Sequence, residues 1–364
     1  MKANDSSNSQ LPFDQKGERD IDLGNMFRLR FEPGILPYLE RKFKCWENDF
    51  ELPDLVVHHR SLSRGGTLLA ANLSYSPGSY QIIRGRATYQ VSSDGIYCDG
   101  PIDESFFEYE VLMPTINRLM AKNDQYIAYA SGVVMDGRAI IFPAISGVGK
   151  TSLLLELMSR GAKYLGNSGI LVKGDGTCTM YSPFINFKER NVAMFPELQA
   201  DLFEANSEGR ALKKRLSFHR MALSIKGENL ASKYVRDNLI SRFYFTENVD
   251  VNKLFPNREM AISAKASHFF YLERKEDEPV VIESNPKELA NIVGISEWIN
   301  PGHGGCCHNT LAEMAGLDFC AMNDYRRVFE NLFSHGKCHR ARIPRTSSRA
   351  VIKKIADEIE RSLD

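Results

Sequence analysis

The stretch AIIFPAISGVGKTSLLLELMSRG, residues 139–161, constrains the fold more than any other part of the chain. Its apolar start predicts a strand, the glycines after it predict a loop, and SLLLELM predicts a helix that stops at Gly161. In a phosphate-binding loop of this form, backbone N–H groups and a helix N-terminus point at one anion, while Lys contacts the terminal phosphates and Ser or Thr binds magnesium. The residues predicted to hold a nucleotide are Ser146, Gly147, Val148, Gly149, Lys150 and Thr151, with Thr151 also the metal ligand.

The first position of this loop departs from the strict pattern. GxxxxGK[ST] places a glycine where this chain has Ala144. Gly147 and Gly149 remain at the points where the backbone bends closest to the phosphates. The alternative is an ordinary glycine-rich turn with an incidental Lys-Thr pair. The apolar segments on both sides favour the phosphate loop, so nucleotide binding is the strongest functional prediction from the sequence.

Composition narrows the partners and the compartment. The chain has 364 residues, 43% hydrophobic and 25% charged, so it can bury a real core and divide into two or three domains. Lys plus Arg and Asp plus Glu are balanced at 46 each, which argues against nucleic acid or an anionic membrane as a partner. The polar N-terminus contains no signal-peptide core, and no apolar run reaches the roughly 20 residues of a spanning helix. Seven thinly spread cysteines suit a reducing compartment, so we expect a cytoplasmic protein.

Pattern shifts along the chain predict its domain organisation. Residues 1–24 are predicted to be a disordered tail, 25–125 a small α+β module, and 126–364 the phosphate-loop domain, with a charged insertion near 196–240. The basic stretch GRALKKRLSFHR inside that insertion has two interpretations, a contact to an acidic substrate or a solvated helix face.

Local signals place further elements. FFEYEVLMPTINRLMAKN predicts a helix that is broken or kinked near Pro114. A hairpin is predicted with residues 174–176 at its tip, and the Asn-Pro pair at 285–286 predicts a helix start. Thr310 and Glu313 have capping-box spacing, and VIKKIADEIERSL predicts a closing amphipathic helix.

Several segments, taken in order, resemble one protein family. SGVGKTSLLLELMSRGAKYL resembles the core of HPr kinase/phosphorylase and, more closely, the looser group of HPr-kinase-like proteins found in peptide and natural-product biosynthesis. Residues 129–133 lie where such proteins often carry a His-Ala-x-x-Val strand, and 183–188 resemble their Pro-Phe...Lys segment. Residues 254–256 and 269–274 resemble their Leu-Phe-Pro and Phe-Leu-Glu-Arg pieces. The resemblance spans residues 125–280 or so, and the loop alone is specific by itself.

The resemblance implies an α/β fold with a phosphate-loop core related to phosphoenolpyruvate carboxykinase. It also implies ATP-dependent phosphoryl transfer, with magnesium, to a hydroxyl of a small molecule or peptide in a biosynthetic pathway. Lys150 would act in catalysis and, with the loop amides, hold the β- and γ-phosphates. HPr kinases assemble as oligomers, so a homo-oligomer is left open, and the poor match outside the core argues against HPr itself as a partner.

One departure from the family bears on catalysis. The family places an acidic pair on the strand after the loop helix, one serving as base for the acceptor hydroxyl, and that pair falls on Asn167 and Ser168 here. The family's His is replaced by Tyr129. Neither Asn nor Ser accepts a proton as a carboxylate does, so a general-base contribution of about 10²–10⁴ is missing.

Three accounts of these positions remain open. A different carboxylate fills the role, with Asp175 or Glu189 as candidates; the site binds nucleotide without transfer, as an accessory or regulatory protein; or the loop is reused for other chemistry. Asp175 also fits its hairpin turn for conformational reasons alone. Lys188 and Arg190 either contact phosphate or are solvated loop charges. The retained loop Lys and Thr favour a kinase, which we expect from the sequence, and the lost acidic pair favours the alternative, a binding protein.

A cysteine and histidine cluster lies near the C-terminus. Its members are His303, Cys306, Cys307 and His308, followed by Cys320, Cys338 and His339. A zinc site, a reactive thiol at a helix N-terminus, a loop that binds an anionic acceptor, and a packed loop of small residues are the interpretations left open. The spacing matches no standard zinc finger.

Overall fold

The computed structural model is a mixed α/β protein. It describes residues 19–32, 39, 42–43, 46–48, 52–63, 65–70, 72–198, 216–217, 246–275, 279–299, 305–317, 322–344 and 348–363. Most of the predicted tail and nearly all of the predicted charged insertion, with its basic stretch, lie outside these residues. Contacts divide the chain into two compact units, one drawn from residues 1–119 and 301–319, the other from 120–300 and 320–364.

The described residues of the first unit contain an eight-stranded sheet. Its strands are β1 (Arg19–Leu23), β2 (Phe27–Phe31), β3 (Leu55–His59), β4 (Thr67–Ala70), β5 (Leu73–Ser76), β6 (Ser79–Arg84), β7 (Ala87–Ser92) and β8 (Gly95–Asp99). They are ordered β1-β2-β3-β8-β7-β6-β5-β4, with β3 parallel to both of its neighbours and the other pairs antiparallel.

Strand β1 corrects the end of the predicted disordered tail. It lies within residues 1–24 and pairs in antiparallel register with β2. Ile21 and Leu23 alternate with half-buried polar residues and are themselves buried. Burial of these two side chains outweighs the polar character of the surrounding sequence, which by itself indicated a tail.

The predicted kink near Pro114 is present as a change of helix type. A short α1 (Glu104–Phe106) leads into a π-helical segment, Phe107–Leu112, and then into α2 (Met113–Ala121). Met113 N–H donates to Glu108 O, five residues back, instead of the usual four. Proline has no N–H to continue the regular ladder, so the wider π register directly before Pro114 accommodates it.

The π-helical segment carries a buried ion pair. Lys42 Nζ donates to Glu108 Oε1, and the two side chains are 5% and 0% exposed. The Lys42 ammonium also lies 5.6 Å from the centroid of the Tyr109 ring. Two opposite charges removed from water together are therefore built into the first unit's core.

The second unit is built on a nine-stranded mixed sheet and a separate strand pair. Its strands are β9 (Gln125–Ala128), β10 (Ala130–Met135), β11 (Arg138–Pro143), β12 (Lys163–Gly166), β13 (Ile170–Lys173), β14 (Thr177–Met180), β15 (Phe184–Lys188), β16 (Thr246–Asp250), β17 (Ser263–Lys275), β18 (Val280–Glu283) and β19 (Lys337–Pro344). The main order is β12-β10-β11-β17-β14-β13-β9; β19 pairs with β17, β18 pairs with β19, and β15 pairs with β16. The central strand β17 runs parallel to β11 and to β19.

Helices cover this sheet. They are α3 (Lys150–Ser159), α4 (Glu189–Met194), α5 (Val251–Leu254), α6 (Pro286–Ile299), α8 (Met322–Phe333) and α9 (Arg349–Ser362). The predicted stop of α3 at Gly161, the start of α6 after Asn285 and the closing helix α9 are confirmed. Asn285 Oδ1 accepts the N–H of Lys287 at 2.9 Å, as an N-cap does. No helix in the described part of the chain is long and apolar enough to cross a membrane.

The loop helix α3 is held from behind by charged contacts. Glu156, which is 2% exposed, accepts from Arg160 Nε at 3.0 Å and from Arg349 Nε at 3.4 Å. Arg160 also donates to Asp357 and Glu360 of α9. These contacts join α3 to α9 and fix the direction in which the N-terminus of α3 points.

Helix α7 (Gly305–Met314) belongs to the first unit and packs against β5 and β6. It begins at Gly305, so the expectation of a helix start near Thr310 is wrong. Thr310 and Glu313 lie within the helix, where residues three apart share a face whether or not they cap it.

Two buried histidines stack on the face of the second unit's sheet. His268 and Phe270 share one face of β17, and His339 of β19 is the register partner of Phe270. The His339 ring lies 4.6 Å from that of Phe270 and 5.9 Å from that of His268. Burial, the other histidine, Lys337 and Arg138 lower the pKa of His268. Burial and Lys337 lower the pKa of His339, with Glu283 opposing them. Both imidazoles are therefore held neutral in the folded chain.

Acidification is expected to destabilise the second unit through this pair. Both folded pKa values lie below the ordinary 6.5, so the unfolded chain binds more protons, and stability falls as the pH drops below about 6.5. Urea unfolding at pH 7.5 and 5.5 measures the loss, and the His268→Gln/His339→Gln variant should show a flatter pH dependence. An equal pH dependence in the two proteins would contradict the assignment.

Candidate functional site

The loop 144–151 joins β11 to α3 at the sheet edge where β11 ends. Gly147 has φ 86° and Gly149 has φ 129°, both in the left-handed region that favours glycine. Gly149 is the N-cap of α3 and offers no side chain to the first-turn N–H groups of that helix. The strand, loop and helix predicted from the sequence are therefore present, with the helix N-terminus facing the loop.

Lys150 is folded back onto its own loop. Its Nζ donates to Ala144 O at 2.5 Å and to Ile145 O at 3.0 Å, and the side chain is buried. The same ammonium lies 3.8 Å from the centroid of the Tyr129 ring. The residue that stands in place of the family's His thus supplies a cation–π contact to the loop lysine.

A buried carboxylate lies behind Tyr129. Glu297 Oε1 accepts the Tyr129 N–H at 2.8 Å, and Oε2 accepts from the Tyr126 hydroxyl at 3.4 Å. Burial raises the pKa of Glu297 to about 7. Burial lowers the pKa of Lys150 to about 7. The charge of Glu297 raises this pKa, whereas the charges of Lys188 and Arg190 lower it further. Glu297 is therefore the electrostatic partner of Lys150.

Two arginines converge on the loop from different elements. Arg190 Nη1 of α4 donates to Gly147 O at 3.3 Å, and Arg274 Nη2 at the end of β17 donates to the same oxygen at 3.2 Å. Arg274 Nη1 also donates to Pro344 O, and burial together with the charge of Arg190 lowers the pKa of Arg274. Arg190 Nε is buried and has no hydrogen-bond partner in the part of the chain that the structure describes. The loop is therefore surrounded by positive charge.

Asn167, where the resemblance would place an acid, has a fixed amide orientation. Oδ1 accepts the Asn186 N–H at 3.0 Å. Nδ2 therefore faces the hydroxyls of Ser131 and Thr151, at 3.0 and 3.2 Å. Turning the amide around would set an NH₂ group against the Asn186 N–H, two donors with no acceptor. Ser168, with φ 63°, donates to Asn167 Oδ1 at 3.4 Å and completes the turn.

This donor set does not fit a magnesium ion supported by a protein carboxylate. Magnesium requires oxygen ligands in near-octahedral geometry, and in phosphate-loop sites Ser or Thr is normally backed by an acid. Here Thr151 is backed by the NH₂ face of Asn167, which carries partial positive charge. No group of three or more His, Cys, Asp or Glu able to hold a metal occurs among the described residues.

Asp175 does not come together with the loop. It lies at the tip of the predicted hairpin, where Oδ1 accepts the Thr177 N–H at 2.9 Å and lies 3.3 Å from Lys265 Nζ. These contacts lower its pKa well below the usual range. Lys265 is the register partner of Arg138, the first residue of β11, whereas the loop follows its last residue. The two ends of β11 are about 17 Å apart, the length of a six-residue strand. Asp175 therefore lies in a turn near the end of β11 that is remote from the loop, outside the site.

Lys188 and Glu189 directly precede Arg190, whose guanidinium contacts the loop, and the charge of Lys188 acts on the Lys150 ammonium. Glu189 is the first residue of α4, directly before Arg190, and is half-buried. Lys188 ends β15. A role for Glu189 as a base stays a prediction.

The cysteine and histidine cluster is described in part. Cys338 and His339 are core residues of β19, and burial raises the pKa of the Cys338 thiol to about 12. Such a thiol is not a nucleophile at neutral pH. The cluster members outside the described residues are His303 and Cys320, together with the side chains of Cys306, Cys307 and His308 on α7.

Sequence reasoning missed two members of the site. Arg274 lies in the segment 269–274 that resembles the family, but nothing in that segment predicts a contact with the loop. Glu297 belongs to none of the motifs. Glu297 gave one signal, a single acid in the otherwise apolar face of NIVGISEWI. A buried acid of this kind is uncommon without a partner.

Comparisons with known proteins give a distant likeness. No protein-family model matches the chain, and no curated protein matches it significantly. Among solved structures, it is similar to the Hpr(Ser) kinase/phosphatase from Coxiella burnetii at 11% identity and a TM-score of 0.30, over 65% of this chain and 90% of that one. A TM-score of this size carries no argument about activity. Function therefore has to follow from the residues of the site.

Proposed function

We propose that the loop 144–151 binds the phosphates of a nucleoside triphosphate such as ATP. The observation that supports this most directly is the convergence of Lys150, Arg190 and Arg274 on the carbonyls of one loop at the N-terminus of α3. Among the described residues no carboxylate lies within ion-pair distance of Lys150 or Arg190, and an anion with several charged oxygens would bind these two cations together with Arg274 and the helix N–H groups. The nucleotide acts as a ligand of an accessory or regulatory protein, since the acidic pair of the kinase family is absent.

Calorimetric titration of ATP, ADP and AMP tests this proposal. Lys150→Ala is expected to weaken ATP binding by roughly 10- to 150-fold, since a hydrogen bond to a charged group contributes about 1.5–3 kcal/mol. Lys173→Ala is the matched control, because Lys173 pairs with Asp175 at the opposite sheet edge and should leave the affinity unchanged. The proposal fails if the wild-type chain binds none of the three nucleotides.

Phosphoryl transfer to a hydroxyl of a small molecule or peptide in a biosynthetic pathway is the second candidate. It is favoured by the paired arginines, which could stabilise charge on a transferring phosphoryl group without a carboxylate base. Transfer of label from γ-labelled ATP to pooled hydroxyl amino acids, peptides and cell-extract metabolites tests it, with and without magnesium. Label transfer that disappears in Lys150→Ala would establish a kinase, whereas ATP binding without transfer would leave the nucleotide as a ligand.

A further inference from the structure

The orientation of the Asn167 amide decides which cation can approach the loop. Thr151 Oγ1 is the one oxygen that the loop pattern offers to a metal, and it already accepts a hydrogen bond from Asn167 Nδ2. An aspartate here would present a charged oxygen at that point. The NH₂ group of Asn167 presents partial positive charge instead, which repels a divalent cation.

The amide has no freedom to present its oxygen. Asn167 is 5% exposed, and Asn186 N–H holds Oδ1 at 3.0 Å. Ser131, fully buried, accepts from Nδ2 on the other side. Rotation would set the NH₂ group of Asn167 against the Asn186 N–H, two donors with no acceptor at a place that water does not reach, so the donor face is a fixed property of the site.

Charge that a metal would supply is already present as side chains. Lys150, Arg190 and Arg274 place three basic groups around the loop carbonyls, and a polyanion bound among them would raise the pKa of Lys150, which burial lowers to about 7, and so keep it charged. In the part of the chain that the structure describes, no carboxylate lies within ion-pair distance of Lys150 or Arg190. With the N-terminus of α3, these groups oppose most of the charge of a metal-free triphosphate.

We propose that this site binds the triphosphate without a divalent cation, with Lys150, Arg190 and Arg274 taking the place of the metal and Asn167 excluding it. The inference rests on the proposed function and specifies the ligand of that same site: the free nucleotide anion, not its magnesium complex. Asn167 is a positioning residue, since it acts by holding Thr151 and does not touch the nucleotide.

Titration of ATP into the wild-type chain in EDTA and in excess magnesium tests the proposal without any substitution. The dissociation constant in EDTA should be within about threefold of that in magnesium or tighter. A loss of tenfold or more in EDTA would overturn the inference and leave nucleotide binding intact. Absence of binding in both conditions would overturn the proposed function and this inference together.

The Asn167→Asp variant tests whether Asn167 is the residue that excludes the divalent cation. The carboxylate keeps the Asn186 contact and accepts from Ser131 and Thr151, so the variant should fold, as its melting temperature will check. It should bind ATP weakly in EDTA and regain at least roughly tenfold in magnesium, the size of one added interaction between charged groups. Asn191→Asp is the matched control, since Asn191 is also buried beside α3 but contacts Ser152. If magnesium changes the ATP affinity of the two variants equally, or does not change that of Asn167→Asp, Asn167 is not the residue that excludes the metal.

Discussion

Replacing both Arg190 and Arg274 with glutamine is expected to weaken ATP binding by roughly 10²- to 10⁴-fold. Each guanidinium donates to Gly147 O and stands beside the phosphate position that the loop predicts. Each charged hydrogen bond contributes about 1.5–3 kcal/mol, and the double variant removes two of them. Calorimetric titration of ATP and ADP with the wild type, both single variants and the double variant measures the effect.

The single variants show whether the two arginines act together. Because Arg190 lowers the pKa of Arg274, loss of one guanidinium relieves repulsion on the other, and the two single effects should not sum to the double effect. Arg326→Gln is the control, since Arg326 lies on α8 in an exposed pair with Glu330. Wild-type affinity in the double variant would contradict an anion site at this loop.

Replacing Lys42 with methionine is expected to destabilise the first unit by about 3–5 kcal/mol. The substitution removes the ammonium that Lys42 places against the buried Glu108 carboxylate, and breaking a buried ion pair by removing one partner is among the most costly changes to a folded chain. Urea unfolding followed by fluorescence and circular dichroism measures the free energy of unfolding. Truncation of the exposed Arg326–Glu330 pair, as Arg326→Ala, should cost less than about 1 kcal/mol.

A second substitution separates lost charge from lost packing. Lys42→Met/Glu108→Leu removes both charges and should recover most of the stability, because a buried ion pair is often replaceable by apolar residues of similar volume. If the double variant is as unstable as Lys42→Met, shape and not charge balance is what the pair contributes.

Short-range signals in the sequence were sufficient for the elements around the loop. Apolar periodicity and a glycine after the last turn predict α3, and the Asn-Pro pair predicts the start of α6. The tight turn that joins β10 to β11 requires positive φ, and Asp136 and Gly137 adopt φ values of 49° and 75° there. Each of these features is decided within a few residues of the chain. The local sequence therefore determines these elements.

Elements decided by packing were predicted less well. Strand β1 looked like tail because two apolar residues among polar ones are a weak signal until a partner strand buries them. The start of α7 was displaced because capping-box spacing also occurs inside helices. Asp175 is close to the loop in the sequence, whereas the sheet carries it to the end of β11 that is remote from the loop.

The sequence by itself determined the loop, its glycines, its lysine and the presence of Asn167 and Ser168 where the resemblance would place an acidic pair. Only the tertiary structure decided what surrounds them. Arg274 lies 124 positions after Lys150, and the parallel pairing of β17 with β11 brings it to the loop. The direction of the Asn167 amide depends on the backbone of Asn186, a contact between the turn after β12 and strand β15. The charge at this site and the direction of its hydrogen-bond donors depend on residues that are distant in the chain, and the fold brings those residues together.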